Sequence, residues 1–111
     1  MSTAITLSTH VLDTALGRPA AGIRVRLLRG SETLGSGVTD ADGRVKEFGA
    51  KGALAAGSHA LVFEVGEYFA RSKRDAFYRE ITVAFEVTAG SGHHHVPLLL
   101  SPFGYSTYRG S

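Results

Sequence analysis

Four histidines and one arginine are the side chains of this sequence whose types and spacing could do chemistry. His10 sits in an alternating stretch that puts Ile5, Leu7 and Val11 on one face and Thr6, Ser8 and His10 on the other. Imidazole exchanges a proton near neutral pH. On that polar face His10 could take a proton from water or hydrogen-bond a ligand if the face lines a pocket; otherwise it is a surface or interface residue. His93, His94 and His95 are consecutive, so in a strand His93 and His95 share a face and His94 takes the other. Two imidazoles could then look into one site. They lack a visible third and fourth ligand and any accompanying HExxH or carboxylate pattern, so no metal is expected. Arg44 follows the turn Thr39-Asp40-Ala41-Asp42-Gly43. Its guanidinium is a fixed fork of donors, suited to a planar ligand with several carbonyl oxygens or a negative charge, although most arginines at such positions are simply solvated. Asp40 and Asp42 resemble a fragment of a calcium loop, but the third acid and the closing Glu are missing, which makes them turn residues.

These side chains need elements to hold them, and the apolar pattern supplies strands. Ile5, Leu7 and Val11, then Ile23, Val25 and Leu27, and again Ile81, Val83, Phe85 and Val87 recur at period two. Turn formers such as Leu16-Gly17-Arg18-Pro19, Asp40-Ala41-Asp42-Gly43 and Ala89-Gly90-Ser91-Gly92 punctuate them. The spacing predicts eight strands near 4–13, 22–29, 33–39, 45–48, 58–65, 80–88, 93–100 and 103–109, forming an all-β sandwich. Between Val65 and Lys73 the alternation breaks around Glu67, Tyr68, Phe69 and Ala70, which predicts one or two helical turns packing aromatics on the sandwich. Gly49 to Gly57 reads as a surface loop. The last strand separates Phe103, Tyr105, Thr107 and Arg109 from Ser106 and Tyr108, so it could present hydroxyls to a pocket or an interface.

Composition narrows the functions these elements could serve. A chain of 111 residues fits a single domain, residues 1–111, and its 43% hydrophobic and 20% charged content suits a globular protein rather than a disordered one. The net charge of +2, without a run of five or more like charges, gives no reason to expect nucleic acid. The densest basic stretch, Arg71-Ser72-Lys73-Arg74, has no interleaved aromatics and reads as a solvated loop. No segment approaches the roughly 20 apolar residues that span a bilayer, and the start lacks a signal-peptide pattern, so no membrane role and a cytoplasmic location are expected. Without cysteine, neither disulfides nor thiolate metal sites contribute.

Three segments together resemble one family. They are Leu7-Ser8-Thr9-His10-Val11-Leu12-Asp13-Thr14-Ala15 with Gly17-Arg18-Pro19-Ala20; Gly37-Val38-Thr39-Asp40-Ala41-Asp42-Gly43-Arg44; and His93 to Ser101 with Tyr105-Ser106-Thr107-Tyr108-Arg109-Gly110-Ser111. The resemblance is to the transthyretin-related 5-hydroxyisourate hydrolases and spans essentially the whole chain. In that family the terminal Tyr-Arg-Gly-Ser separates the hydrolases from the hormone carrier transthyretin, which shares the fold. Two positions depart from the family pattern: Arg79 stands where a proline is expected, and His94 where an aromatic residue usually separates the two histidines.

The resemblance implies an eight-stranded prealbumin-like β-sandwich with one short helix, assembled as a homotetramer, a dimer of dimers with sites between subunits. It implies hydrolysis of 5-hydroxyisourate to 2-oxo-4-hydroxy-4-carboxy-5-ureidoimidazoline in urate degradation, a step of purine catabolism. Water adds at a ring carbonyl, the adjoining C–N bond breaks, and no cofactor takes part. The catalytic residues would be His10, His95, Arg44 and Ser111, with His10, Arg44, Tyr108, Arg109 and Gly110 binding substrate. Two readings of other classes stand beside it: a transthyretin-like carrier that holds an aromatic ligand without turnover, and a purely structural sandwich module.

Overall fold

The computed structural model describes residues 5–48, 54–90 and 92–110. Its elements run β1 (Thr6–Asp13), β2 (Arg18–Pro19), β3 (Arg24–Arg29), β4 (Glu32–Val38), β5 (Arg44–Val45), β6 (Gly57–Phe63), α1 (Val65–Arg71), β7 (Ile81–Val87), β8 (His93–Ser101) and β9 (Gly104–Thr107). Two sheets form the sandwich. One has the order β2-β1-β8-β9, with β5 also pairing β1, and the other β4-β3-β6-β7. All neighbours are antiparallel except β1 and β8, which run parallel from Thr6 opposite His93 to Asp13 opposite Leu100.

The expected alternation decides which residues meet between the sheets. Leu7 and Val11 of β1, Val25 and Leu27 of β3, Leu61 and Phe63 of β6, and Leu98 and Leu100 of β8 are buried in one cluster. Their neighbours in sequence point outward, which leaves Ser8 and His10 half-buried on the other face of β1. The predicted helix is present over Val65–Arg71 and turns Val65 and Phe69, one helical repeat apart, into the core. No helix of the described residues is long and apolar enough to cross a membrane.

Several expectations need correction. The segment read as the turn Leu16-Gly17-Arg18-Pro19 contains a strand, β2, whose Arg18 and Pro19 pair with Asp13 and Leu12. The proline is tolerated because it lies on an edge, where a missing N–H costs no ladder bond. The strand expected over 45–48 is shorter and begins at Arg44. The last strand ends at Thr107 rather than 109, yet the chain rejoins β8 where Gly110 bridges His95. The register that pairs Leu98 with Thr107 and His95 with Gly110 sets Pro97 opposite Tyr108. Proline has no N–H to give there, so the ladder is interrupted, and the Thr107 hydroxyl donates to the Pro97 carbonyl at 2.7 Å instead. The start of the first predicted strand and the middle of the Gly49 to Gly57 loop lie outside the described residues. At the position where proline was expected, the Arg79 carbonyl accepts the N–H of Gly66 at 2.8 Å, so a backbone bond ties this loop to the start of α1.

Arg74, read from sequence as part of a solvated loop, is instead a structural cation. The carboxylate of Asp13, fully buried at the end of β1, accepts from the Arg74 guanidinium at 2.6 Å and from the Tyr68 hydroxyl at 2.7 Å. The guanidinium also lies 4.9 Å from the centre of the Phe69 ring and 5.6 Å from that of Tyr68. One carboxylate thus ties the end of β1 to α1 and the segment after it. Burial alone would raise the Asp13 pKa, but the bonds from Arg74, Tyr68 and the Leu16 N–H outweigh it and hold the carboxyl below its usual 3.8.

A group whose folded pKa is depressed contributes stability above its unfolded value and loses it as pH falls through the folded one. The Asp13 contribution is therefore expected to be complete above about pH 4 and to vanish only on stronger acidification. Asp13→Asn leaves Arg74 facing a neutral group and should cost about 3 kcal/mol in denaturant unfolding at neutral pH. The variant's stability should also fall less steeply than wild type below the usual aspartate value. An unchanged unfolding midpoint would show that this network does not anchor the helix.

Candidate functional site

The outward face of the five-stranded sheet gathers the polar residues. β1 lies between β5 and β8, so the two pairings place the expected residues side by side: His10 pairs with Arg44 on one flank, and Ser8 pairs with His95 on the other. Arg44 reaches its place through a turn that the sequence encodes closely. The Asp40 carboxylate accepts from the N–H groups of Asp42 at 2.9 Å and Arg44 at 3.0 Å, as its reading as a turn residue required. Gly43 has φ +76, and a Cβ there would strike the carbonyl of Val11. Its own carbonyl accepts the Val11 N–H at 2.7 Å, which locks the turn against β1.

His95 is half-buried and held on two sides. Its Nδ1 lies 2.8 Å from the Ser8 hydroxyl. The opposite ring edge faces Gly110, where a Cβ would collide with His95 Cδ2, and the Gly110 N–H donates to the His95 carbonyl at 2.8 Å. With Nδ1 against Ser8 and Cδ2 against Gly110, the remaining edge, which carries Nε2, faces out of the sheet. Burial first, and then the nearby charge of Arg44 and the imidazoles of His10 and His93, hold this imidazole below its usual 6.5; a hydrogen bond with the Ser8 backbone opposes them. His95 is therefore neutral at neutral pH.

His93 shares the outward face with His95 as expected, while His94 turns inward and is buried. Sequence reasoning did not give Ser8 or Thr6 a role. Ser8 Oγ lies 2.8 Å from His93 Nε2 as well as from His95 Nδ1, and Thr6 Oγ1 lies 2.6 Å from His93 Nδ1. The signal was present, since hydroxyl residues occupy the two outward positions before His10, but only the parallel pairing puts them beside the histidines.

The terminal residues divide. Gly110 belongs to the His95 neighbourhood, whereas Tyr108 and Arg109 are exposed and line a cleft of about 300 Å³ with His95, Val83, Phe85 and Glu86. That cleft includes neither His10 nor Arg44, so His95 is the residue common to both sides. Ser111, expected to complete the pocket, lies outside the described residues. A larger groove of about 560 Å³ is lined by Glu64, Glu67, Glu80 and Arg79. Two of its carboxylates face Arg26, at 3.6 and 3.8 Å, and the third pairs with Arg24 at 2.9 Å, so its carboxylates are paired within the chain. Among the described residues no group of three or more His, Cys, Asp or Glu side chains is gathered to hold a metal ion.

Two packed sheets bearing imidazole, guanidinium and hydroxyl groups on the outer face of one of them define a small β-sandwich protein with a polar site on one sheet. The chain belongs to the HIUase/Transthyretin family, whose family model matches residues 7–110. It is 46% identical over 109 residues to the 5-hydroxyisourate hydrolase of Salmonella dublin, covering 95% of this chain and 80% of that one. It is 44% identical over 120 residues to 5-hydroxyisourate hydrolase 2 of Rhizobium meliloti, with 100% of both chains covered. Among solved structures, Klebsiella pneumoniae 5-hydroxyisourate hydrolase superposes with a TM-score of 0.88 at 41% identity, covering 100% of this chain and 97% of that one.

The contact between Gly110 and His95 generates a direct test. Gly110→Ala should push the imidazole off Ser8, so the ring resonances of His95 should move while those of His59, buried on the far sheet, stay in place. If the His95 signals were unchanged, the terminal segment would have no hold on the ring.

Proposed function

We propose that this chain hydrolyses 5-hydroxyisourate to 2-oxo-4-hydroxy-4-carboxy-5-ureidoimidazoline, the step of urate degradation for which its relatives are named, at the face where His10, Arg44 and His95 meet. The observation that carries the reading is the pairing of β1 with β5 and β8, which places a guanidinium and two imidazoles on one face of a single sheet. His95, neutral and with Nε2 turned outward, takes a proton from water as the water attacks a ring carbonyl. Arg44 offers its planar fork to the substrate oxygens and to the negative charge of the tetrahedral intermediate. Collapse of that intermediate breaks the adjoining C–N bond, and the departing nitrogen receives a proton from the histidine pair. His10, beside Arg44, is the second proton-transfer group. Tyr108 and Arg109 bound the substrate from the cleft on the far side of His95.

The assembly proposed is a homotetramer, a dimer of dimers. On a single chain the site is an open sheet face, and Phe103, Tyr105 and Tyr108 are 70%, 42% and 58% exposed. Facing subunits would cover them and exclude water, which strengthens the electrostatics at the site. Light scattering should give about four times the 11.7 kDa chain mass. A monomer with full turnover would defeat the interfacial site.

Fresh 5-hydroxyisourate mixed with the protein should lose its ultraviolet absorbance much faster than the spontaneous rate. A carrier would bind the compound and leave that rate unchanged. A working base must be unprotonated, so activity should be lost as pH falls through the lowered His95 value, below 6.5. Arg44→Gln removes a positive charge that lowers this value, so the acid limb should move to higher pH as kcat/KM drops. Arg44→Lys keeps the charge and should leave the limb in place while still weakening kcat/KM through loss of the fork. His95→Asn and His10→Asn should each lower kcat by about a hundred- to ten-thousand-fold. Near-normal turnover in either variant would remove that histidine from the mechanism.

A further inference from the structure

We propose that Ser8 and His93 form a hydrogen-bonded brace behind His95 that fixes which ring nitrogen carries its proton, making Ser8 a positioning residue for the hydrolysis. The inference rests on the reading of His95 as the base.

The geometry is a continuous chain of short contacts: Thr6 Oγ1 to His93 Nδ1 at 2.6 Å, His93 Nε2 to Ser8 Oγ at 2.8 Å, and Ser8 Oγ to His95 Nδ1 at 2.8 Å. It is built by the backbone, because the parallel register sets Thr6 beside His93 and Ser8 beside His95. A serine hydroxyl has one proton and two lone pairs, so Ser8 can donate to only one of the two rings. A neutral histidine likewise carries a proton on one nitrogen. Two arrangements in which Ser8 accepts from one ring and donates to the other satisfy all three contacts with every proton placed; a third, in which Ser8 accepts from both rings, leaves its own proton without a partner in this chain of contacts.

In the first, the Nδ1–H of His95 donates to Ser8, the Ser8 hydroxyl donates to His93 Nε2, and the Nδ1–H of His93 donates to Thr6. His95 Nε2 is then a free lone pair on the outward edge. In the second, every bond is reversed and Nε2 carries the proton. Of these two, only the first leaves a nitrogen on the substrate side that can accept a proton from water. His93 matters because it takes the Ser8 proton and so keeps the serine oxygen available to the Nδ1–H of His95. Gly110 packs against the Cδ2 edge and the Ser8 hydroxyl holds Nδ1, so the ring keeps the orientation that puts Nδ1 on the brace. The brace therefore supplies the orientation and tautomer that a catalytic histidine requires from its partner, a role a carboxylate or backbone carbonyl fills elsewhere.

The test uses the full chain labelled with 15N in its histidines, because protonated and unprotonated ring nitrogens resonate far apart. Wild type above the acid limb should show His95 as a single tautomer with the proton on Nδ1. Ser8→Ala should mix the tautomers and lower kcat on the order of tenfold to a hundredfold with little change in KM, as expected for a partner that orients a functional histidine. Ser8→Thr retains the hydroxyl and should restore both tautomer and kcat. His93→Phe should move His95 toward the Nε2–H form. The proposal is overturned if wild-type His95 carries its proton on Nε2, or if Ser8→Ala leaves both the tautomer and kcat unchanged. A folded wild type that shows the Nδ1–H tautomer yet does not turn over 5-hydroxyisourate would instead sink the functional reading and leave the brace standing.

Discussion

The parallel pairing of β1 with β8 is the constraint on which the rest depends. It joins the first strand to one that begins 87 residues later, Thr6 opposite His93, so it forms only when the intervening chain has brought both strands to the same sheet. Because side chains alternate, one register delivers two results together. The inward residues Leu7, Val11, Leu98 and Leu100 enter the core, and the outward residues Ser8, His10 and His95 line the face. A slip of one residue in β8 would bury His95 and expose Leu98, exchanging core for site at a cost of several kcal/mol in lost apolar burial. Site geometry and core packing are therefore enforced by the same interaction.

The neighbours of this pair act as clamps on it. At the end of β1, the buried Asp13 carboxylate takes up Arg74 and Tyr68 and so fixes α1 to the sheet. On the β1 flank, Gly43 allows the backbone to approach Val11 and sets Arg44 beside His10. On the β8 flank, Gly110 returns to His95 after the ladder breaks at Pro97. Glycine is needed at both flanking contacts, because a Cβ would strike the Val11 carbonyl at Gly43 and the His95 ring at Gly110. The polar residues proposed to act on substrate are thereby held by close backbone contacts on both flanks, which suits a proton transfer over a short distance.

Much of this was legible in the sequence. Period-two alternation separated His10 from Leu7 and Val11, and consecutive histidines had to divide between the two faces, so which imidazoles look outward followed from strand geometry alone. Asp40 as a turn residue followed from its local hydrogen-bonding capacity. What could not be read was the set of partners between distant segments. Nothing local shows that Arg74 answers Asp13, so a half-buried cation looked like part of a solvated loop. The bridging role of Ser8 is invisible for the same reason, since it exists only across the β1–β8 seam. The break at Pro97 and the short β2 depend on which strand lies opposite, and alternation carries no record of that. The terminal motif was recognisable by resemblance, but its division between the His95 neighbourhood, with Gly110, and the cleft, with Tyr108 and Arg109, emerged only from the fold.

The central claim is that His10, Arg44 and His95 act on one substrate at one face. A crystal structure of the protein with an unreactive oxopurine tests it most directly. The account predicts the ring oxygens within hydrogen-bond distance of the Arg44 guanidinium, with His95 Nε2 and His10 both in contact with the ligand or a water beside its carbonyl. A ligand held in the groove of Glu64, Glu67 and Glu80, or in the Tyr108 cleft without contact to His10 and Arg44, would contradict it.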